Sequence, residues 1–187
     1  MALSVSSLMV MVMVFSGPIG SLSCDLPQSL DSGKQETLTA LAQMGTISFL
    51  SCLKDRTDFK FPQEQLDGRQ LQKTQALRVL HGMLQQIFNL FSSEGSSATW
   101  EEALLDKLLA GLHQQLEDLE TCLVQGVGEE PSALETDSTT LALRGYFQGL
   151  HLYLEKKNFS DCAWEVVRVE IRKCFLFINK LIRKLRN

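Results

Sequence analysis

The most reactive side chains of this 187-residue chain are its five cysteines. Thiols can form disulfides, ligate a metal ion or act as nucleophiles, depending on the compartment and on their neighbours. Any four cysteines can pair in three ways, and one of the five is left over. The three histidines, His81, His113 and His151, fall on three different predicted helices without metal-ligand spacing, so we expect no metal site.

Sequence motifs for catalysis are absent. The chain contains no phosphate-binding glycine-rich loop, no nucleophile elbow and no His-Glu-x-x-His helix. The acidic pair Glu101-Glu102 suits a helix start, and the pair Glu129-Glu130 is read as loop charge. We therefore expect neither an enzyme nor a bound cofactor, and the net charge of −4 does not suggest nucleic acid as a partner.

The first 23 residues contain no charged side chain and include the apolar run Leu8 to Phe15. Small residues, Ser21 and Ser23, stand at the positions before Cys24 that a signal peptidase requires. A membrane anchor is the alternative, but the apolar run is shorter than the roughly 20 residues that a spanning helix needs. We predict a signal peptide over residues 1–23 and one secreted domain over residues 24–187, in which disulfides can form.

Five segments repeat apolar residues at helical spacing, and no segment shows the alternation of a strand. We predict helices over Lys34–Leu50, Lys73–Phe91, Trp100–Leu123, Asp137–Lys157 and Asp161 to about Leu185. Thr99 and Glu102 have the spacing of a capping box at the start of the third helix. Long links over residues 52–72 and 125–136 favour an up-up-down-down bundle with two crossovers over a simple up-down bundle.

The last helix carries two different stripes when its residues are placed about 100° apart. The predicted core stripe consists of Trp164, Val167, Ile171, Phe175, Ile178, Ile182 and Leu185. Cys174 lies at the edge of this stripe, either as a buried apolar residue or as an exposed thiol that forms covalent dimers. The second stripe combines apolar with charged residues, as interface centres do, unless loops cover it; it contains Glu165, Val169, Arg172 and Leu176, with Lys173 and Phe177 beyond it.

Three short runs together resemble the type I interferons, especially the alpha and omega branch. They are Cys162-Ala163-Trp164-Glu165-Val166-Val167-Arg168, Cys24-Asp25-Leu26-Pro27-Gln28, and Ser51-Cys52-Leu53-Lys54-Asp55-Arg56 followed by Phe61-Pro62-Gln63-Glu64. The resemblance extends from Cys24 to about Arg183. It implies an all-α long-chain helical cytokine bundle with five helices and two disulfides, Cys24–Cys122 and Cys52–Cys162, which leaves Cys174 unpaired.

The same resemblance implies a secreted, extracellular cytokine that binds both chains of the type I interferon receptor. Janus kinase and STAT signalling and an antiviral, antiproliferative state would follow. We expect a monomer without stable membrane insertion. The implied contacts with the high-affinity receptor chain are Leu53, Arg56, Arg168, Val169, Arg172, Lys173 and Phe177. The implied contacts with the second chain are Gln85, Phe88, Asn89, Leu104 and Arg144.

Departures from the family pattern leave alternatives open. Arg172 and Lys173 replace the more common Met and Arg, and Thr57 replaces a His. On the second surface, charged, polar or aromatic residues are replaced by Gly82, Leu109, His113, Gly145 and Gly149. These replacements on the second surface suggest weaker binding to the second receptor chain. An antagonist or a weak agonist is therefore the alternative function.

Two further interpretations come from the C-terminal part of the chain. The stretch from Phe175 to Arg186 is both apolar and basic, which suggests a membrane-active C-terminal helix as an alternative of a different class. Asn158-Phe159-Ser160 is an N-glycosylation sequon in the loop before Cys162, and we predict that Asn158 is glycosylated.

Overall fold

A computed structural model describes residues 26–66, 71–126 and 138–187. The predicted signal peptide and Cys24 therefore lie outside the described residues. The described parts contain five long helices, α1 (Ser29–Gln43), α3 (Lys73–Phe91), α5 (Glu102–Gly126), α6 (Ser138–Lys156) and α7 (Asp161–Arg186). Three short helices connect them: η1 (Phe49–Asp55), which is a 3₁₀ helix, α2 (Gln63–Leu66) and α4 (Glu94–Ser97).

The predicted helix over Lys34–Leu50 is wrong at both ends. Helix α1 begins at Ser29 and ends at Gln43, and η1 is a separate element that begins at Phe49. The chain leaves the helical conformation between them, since Ser48 has an extended backbone (φ −63°, ψ 123°). The apolar residues near position 50 therefore do not continue the core stripe of α1, although their spacing fits a helix.

The other four helices follow the predicted ranges closely, and α3 matches its range at both ends. The predicted capping box of α5 is wrong, because α5 begins at Glu102 rather than one residue after Thr99. The residues before it form α4, and the Thr99 hydroxyl donates to the carbonyl of Gly95 (3.0 Å). A short helix thus lies in the segment between the second and third predicted helices.

Side-chain contacts show the direction of the two helices that pack on α5. His81 of α3 meets Glu120 of α5 (3.1 Å, Nε2 to Oε1), and Phe88, two turns later, lies beside His113. Helix α3 is therefore antiparallel to α5. Helix α1 is also antiparallel to α5, because the Ser29 hydroxyl donates to Asp118 (2.8 Å) while Thr37, two turns later, lies against Gly111.

Helix α7 runs antiparallel to α1. Arg168, near the start of α7, donates to the carbonyl of Leu41 near the end of α1 (2.8 Å), and Arg186 pairs with Asp31 at the other end. The four helices α1, α3, α5 and α7 therefore have the predicted up-up-down-down arrangement, with α6 packed against α3 and α7. The all-α helical cytokine fold is confirmed.

Two glycines let α1 and α5 approach closely. A Cβ atom on Gly111 would lie 2.6 Å from the Thr37 hydroxyl oxygen, and one on Gly33 would lie 3.3 Å from the Gly111 carbonyl oxygen. At this close approach the side-chain amide of Gln115 on α5 donates to Thr37 Oγ1 on α1 and to the Gly111 carbonyl (both 2.9 Å). The pair of helices is thus joined by a buried polar contact as well as by apolar packing.

The predicted core stripe of α7 is buried along its whole length. At its start, the Trp164 ring lies 5.9 Å from Phe91 and 6.1 Å from Trp100, measured between ring centroids. Large aromatic side chains at a helix crossing contribute strongly to core stability, because each removes much apolar area from water. Helix α7 therefore packs its apolar side against α1, α3 and α6, three of the other four long helices.

Candidate binding surfaces

A disulfide fixes η1 to the start of α7. Cys52 and Cys162 are bonded, with their Cα atoms 5.2 Å apart, although 110 residues separate them in sequence. This pairing is confirmed. Cys122 is also disulfide-bonded, but its predicted partner Cys24 lies outside the described residues, so the Cys24–Cys122 pairing stays a prediction.

Arg168 is buried between α7 and the end of α1, with only 6% of its surface exposed. Its Nε and Nη2 atoms donate to the two carboxylate oxygens of Glu165 (2.8 and 2.6 Å), and Nη1 donates to the Leu41 carbonyl. A Cβ atom on Gly45 would lie 2.7 Å from Nη2, so only a residue without a side chain leaves room there.

The placement of Glu165 on an exposed stripe is therefore wrong, because this residue is buried. The contact of Arg168 with a receptor stays a prediction, and it requires the guanidinium to leave its buried ion pair. The helical angle suggested exposure for Glu165, but it could not show that α1 ends against this side of α7. Arg168 positions the segment that leads from α1 to η1.

Three leucines expose large apolar surfaces on η1 and α7. Leu50 and Leu53 on η1 are 73% and 51% exposed, and Leu176 on α7 is 70% exposed. Soluble proteins tolerate scattered exposed leucines, but a group on two elements joined by a disulfide is a candidate interface. Sequence reasoning missed Leu50 because it was assigned to the first helix; its position two residues before Cys52 was the available signal.

Charged residues border these leucines. Arg56, at the end of η1, places its guanidinium 4.9 Å from the centre of the Phe49 ring, and Arg172 is exposed on α7. Val169, one turn before Arg172, is half-buried. We call the set Leu50, Leu53, Arg56, Val169, Arg172 and Leu176 the leucine surface.

Phe177 is only half-exposed, because Phe61 packs on it with ring centroids 5.3 Å apart. Phe61 also contacts Tyr146 of α6 (5.2 Å), and Phe59 contacts Tyr153 (5.1 Å). The segment after η1 thus lies along α6 and α7. A covering loop was the alternative for this stripe, and for Phe177 the covering residue is Phe61.

Glu170 joins α6 to the outer side of α7. Its carboxylate accepts a hydrogen bond from the Tyr146 hydroxyl (2.9 Å) and another from the ammonium group of Lys173 (2.8 Å). Burial is the main cause that raises the pKa of Tyr146 far above its usual value, so this phenol stays protonated and donates. Lys173 is therefore exposed but already engaged by one ion pair.

Cys174 is completely buried, and its sulfur lies 3.3 Å from the Tyr146 hydroxyl oxygen. Burial raises the pKa of its thiol to about 12, so the reactive thiolate is scarce at neutral pH. The alternative of an exposed thiol that forms covalent dimers is wrong. The other prediction, that Cys174 is a buried apolar residue at the edge of the core stripe, is confirmed.

The second predicted contact set spans three neighbouring helices. Gln85 donates to Asn89 (3.0 Å) on α3, and Phe88 lies between them in sequence. Helices α5 and α6 both pack against α3, and they carry Leu104 and Arg144 respectively. Asn89 and Arg144 are exposed, and the other three residues are half-buried. Phe88 lies beside His113 of α5, and His113 is nine residues from Leu104. The distance between Phe88 and Leu104 along the axis of α5 is therefore about 13 Å.

The glycines of this region differ in their surroundings. A Cβ atom on Gly82 would lie 3.3 Å from a methyl group of Leu143, which is a tight contact. Cβ atoms on Gly145 and Gly149 would meet nothing within 4 Å, and both residues are exposed on α6. The last two glycines therefore leave α6 without side chains where solvent or a partner could meet them.

The predicted glycosylation site lies in the short turn between α6 and α7. Asn158 is exposed and has a left-handed backbone (φ 50°), and Phe159 shares this conformation (φ 51°). Asparagine adopts the left-handed conformation more readily than most residues do. Ser160 is the N-cap of α7, and its hydroxyl oxygen accepts a hydrogen bond from the backbone N–H of Ala163 (3.3 Å).

Metal sites and membrane spans are not found in the described ranges. Residues 26–66, 71–126 and 138–187 contain no group of three or more His, Cys, Asp or Glu residues that could hold a metal ion. Within the same ranges, no helix combines the length and the apolar character needed to cross a membrane. The three histidines each lie near a glutamate, in the pairs His81–Glu120, His113–Glu117 and His151–Glu155.

Comparison with known proteins identifies the class to which this bundle belongs. Residues 26–185 match the family described as interferon alpha/beta domain. Zebrafish interferon 1 has a solved structure with a TM-score of 0.69 at 20% identity, covering 86% of this chain and 100% of that chain; this likeness shows the fold alone.

Relatives of known sequence are much more similar. The chain is 63% identical to interferon omega-1 of Equus caballus over 175 residues, which cover 94% of this chain and 90% of that protein. It is 53% identical to interferon alpha-4 of Homo sapiens over 186 residues, covering 100% and 98% of the two chains. The chain therefore belongs to the type I interferon family, and within it resembles the alpha and omega members. It is a cytokine and not an enzyme, and the family implies that type I interferon receptor chains are its partners.

Proposed function

We propose that this interferon is secreted after removal of residues 1–23 and acts outside the cell as a monomer. It brings the two chains of the type I interferon receptor together and thereby triggers Janus kinase and STAT signalling and an antiviral, antiproliferative state. The observation that carries the proposal is the leucine surface, which the Cys52–Cys162 disulfide holds together in a chain that matches the family over residues 26–185.

The leucine surface is the proposed site for the high-affinity chain. Its exposed leucines supply apolar area, and Arg56 and Arg172 supply charge at the edge, as in the centres of known protein interfaces. Lys173 and Phe177 stay in the proposed contact set as peripheral residues, because one is ion-paired and the other is partly covered. Arg168 is left out of the contact set because it is buried.

We expect Leu53→Ala combined with Arg56→Ala to weaken binding to the high-affinity chain by about 30- to 1,000-fold, since central interface residues each contribute about 1–2 kcal/mol. Surface plasmon resonance with the receptor ectodomain measures the change. The matched control is Leu152→Ala with Lys156→Ala, which removes the same residue classes from exposed positions on α6. Equal affinity of the first variant and the unmodified protein would place the site elsewhere.

A second surface is needed for signalling, and we propose Gln85, Phe88, Asn89, Leu104 and Arg144 for it. Once the first chain is bound, the second chain meets the complex within the membrane plane, where its effective concentration is high. A weak second surface can therefore still produce a signal. Gly145 and Gly149 leave bare backbone beside Arg144, so we propose that the affinity for the second chain is reduced.

We expect Gly145→Lys with Gly149→Lys to increase signalling potency several-fold without changing the affinity for the first chain. The control is Gly145→Ala with Gly149→Ala, because alanine stabilises a helix by about 1 kcal/mol over glycine and adds no charge. Both substitutions have room, since a Cβ atom at either position would meet nothing within 4 Å. If the lysine variant signals no better than the alanine variant, the glycines reflect drift in a tolerant surface.

An interferon-response reporter in cells of the same species tests the whole proposal. A response that a receptor-blocking antibody abolishes is the expected result. Binding to the high-affinity chain without any response would favour the antagonist alternative over the agonist. The absence of both binding and response in a folded protein would reject the proposed function.

The structure does not support the alternative that the C-terminal helix is membrane-active. Such a helix needs a free apolar face, but Phe175, Ile178, Ile182 and Leu185 are all buried in the bundle. Outside this stripe, the last three turns of α7 present mainly basic side chains. We therefore retain only the receptor-based functions.

We also propose that Asn158 carries an N-linked glycan, because the sequon is exposed in a turn between two helices. A glycosidase that cleaves N-linked glycans is expected to lower the mass of the protein made in mammalian cells. Mass spectrometry of the peptide that contains Asn158 locates the change. An unmodified Asn158 peptide in the secreted protein would reject the assignment.

A further inference from the structure

The C-terminal half of α7 has a one-sided charge that the receptor surfaces do not account for. From Ile171 to Asn187 the sequence contains six Lys or Arg residues and no Asp or Glu. Five of these basic residues are exposed within about one third of the helix circumference, at 100° per residue. We call them the basic stripe: Arg172, Lys173, Lys180, Arg183 and Lys184.

Most of the stripe is not neutralised by carboxylates. Lys173 is paired with Glu170, and Arg186, outside the stripe, is paired with Asp31. The hydrogen bond from Arg186 is the main cause that lowers the pKa of Asp31, so this carboxylate stays charged and committed to Arg186. In the part of the chain that the structure describes, Arg172, Arg183 and Lys184 form no ion pair with a carboxylate.

The geometry of the stripe fits a linear polyanion. Arg172 and Lys184 are 12 residues apart, which is about 18 Å along the helix axis at 1.5 Å per residue. The opposite side of α7 is buried in the core, and Leu176 is a large apolar residue exposed within the stripe. A bilayer would need an apolar face to insert, whereas a chain that carries repeated sulfate groups needs spaced cations on a solvent-exposed surface.

We propose that the basic stripe of α7 binds sulfated polysaccharide, of the glycosaminoglycan class found at cell surfaces. The whole chain is acidic, with a net charge of −4, so this binding depends on local charge and not on the charge of the protein. Arg172 and Lys173 also belong to the proposed high-affinity contact set, while Lys180, Arg183 and Lys184 lie two to three turns further along α7. A bound polysaccharide would therefore hold the cytokine near cells and overlap one edge of the leucine surface.

Chromatography on immobilised heparin tests this inference with the secreted, full-length domain. The unmodified protein is expected to bind and to elute above about 0.15 M salt, where long-range screening is already strong. Arg183→Glu with Lys184→Glu is expected to elute near or below that salt concentration. Arg78→Glu with Lys107→Glu changes the net charge equally at exposed positions on α3 and α5, and is expected to elute with the unmodified protein.

Several results would overturn the proposal. They are a failure of the unmodified protein to bind heparin, equal losses in both charge-reversed variants, and binding to vesicles of phosphatidylserine and phosphatidylcholine without binding to heparin. Circular dichroism confirms that each variant is folded. If charge reversal prevents folding, Arg183→Gln with Lys184→Gln takes its place, and unchanged elution of that folded variant would also reject the assignment. The assay contains no receptor, so its outcome is independent of the proposed signalling function.

Discussion

Replacing Arg168 by alanine is expected to lower the free energy of unfolding by about 3–5 kcal/mol, because it leaves the buried carboxylate of Glu165 without its cation. Both side chains of the pair are almost completely buried, and the Arg168 guanidinium also holds the Leu41 carbonyl. Urea denaturation followed by circular dichroism measures the loss. Receptor binding should fall as well, although Arg168 does not reach the surface, because the chain between α1 and η1 loses its anchor.

A double substitution separates the ion pair from simple packing. Arg168→Met with Glu165→Leu removes both charges and keeps apolar volume, so it should cost less than Arg168→Ala alone. With Arg168→Met and Glu165→Leu as the single variants, the double-mutant cycle gives a large coupling energy between the two residues. Additive losses would show that the two charges do not depend on each other, and the assignment of Arg168 as a buried positioning residue would fail.

Removing the Cys52–Cys162 disulfide is expected to have the second large effect. For Cys52→Ala with Cys162→Ala, we expect a loss of about 2–5 kcal/mol, because the bond closes a loop of 110 residues and restricts the unfolded chain. The same change frees η1 from the start of α7. The leucine surface then loses its fixed geometry, and affinity for the high-affinity chain should fall even in conditions where the variant is folded.

Stability and binding are measured separately for this variant. Chemical denaturation gives the free energy of unfolding, and plasmon resonance at low temperature gives the affinity of the folded protein. Cys174→Ala serves as a control for the loss of a cysteine, since Cys174 is buried about three turns further along α7 than Cys162 and forms no disulfide. A folded double variant that binds the receptor as tightly as the unmodified protein would show that the surface does not need η1 to be fixed.

Much of the fold could be predicted because α3, α5, α6 and α7 each bury one apolar side. Their periodicity therefore gave both the presence and the approximate ends of these helices. The range predicted for the first helix was wrong because it relied on the same periodicity. The apolar residues near position 50 keep a helical spacing but belong to η1, where they are exposed or covalently fixed instead of packed in the core of α1.

The binding surface could be predicted only in part, because angles on a single helix do not show what packs against it. Glu165 had the angle of an exposed residue, yet it is buried in its ion pair with Arg168, which lies against the end of α1. Phe177 is partly covered by Phe61, which is more than 100 residues earlier in the chain. The burial of such residues depends on contacts between segments that are distant in the sequence. Leu53, Arg56 and Arg172, in contrast, could be placed at the surface from the local pattern and the family resemblance.

The turn before α7 uses one hydroxyl group for two purposes. Ser160 completes the sequon of Asn158, and the same oxygen caps the first turn of α7. Ser160→Ala would therefore remove a glycan and a helix cap together, and the cap alone is worth about 0.5–2 kcal/mol. Substituting Asn158 also disturbs the backbone, since few residues accept its left-handed conformation. The contribution of a glycan to the lifetime or potency of this interferon is therefore best measured by trimming the folded protein enzymatically, because Ser160→Ala and most substitutions of Asn158 also disturb the turn that begins α7.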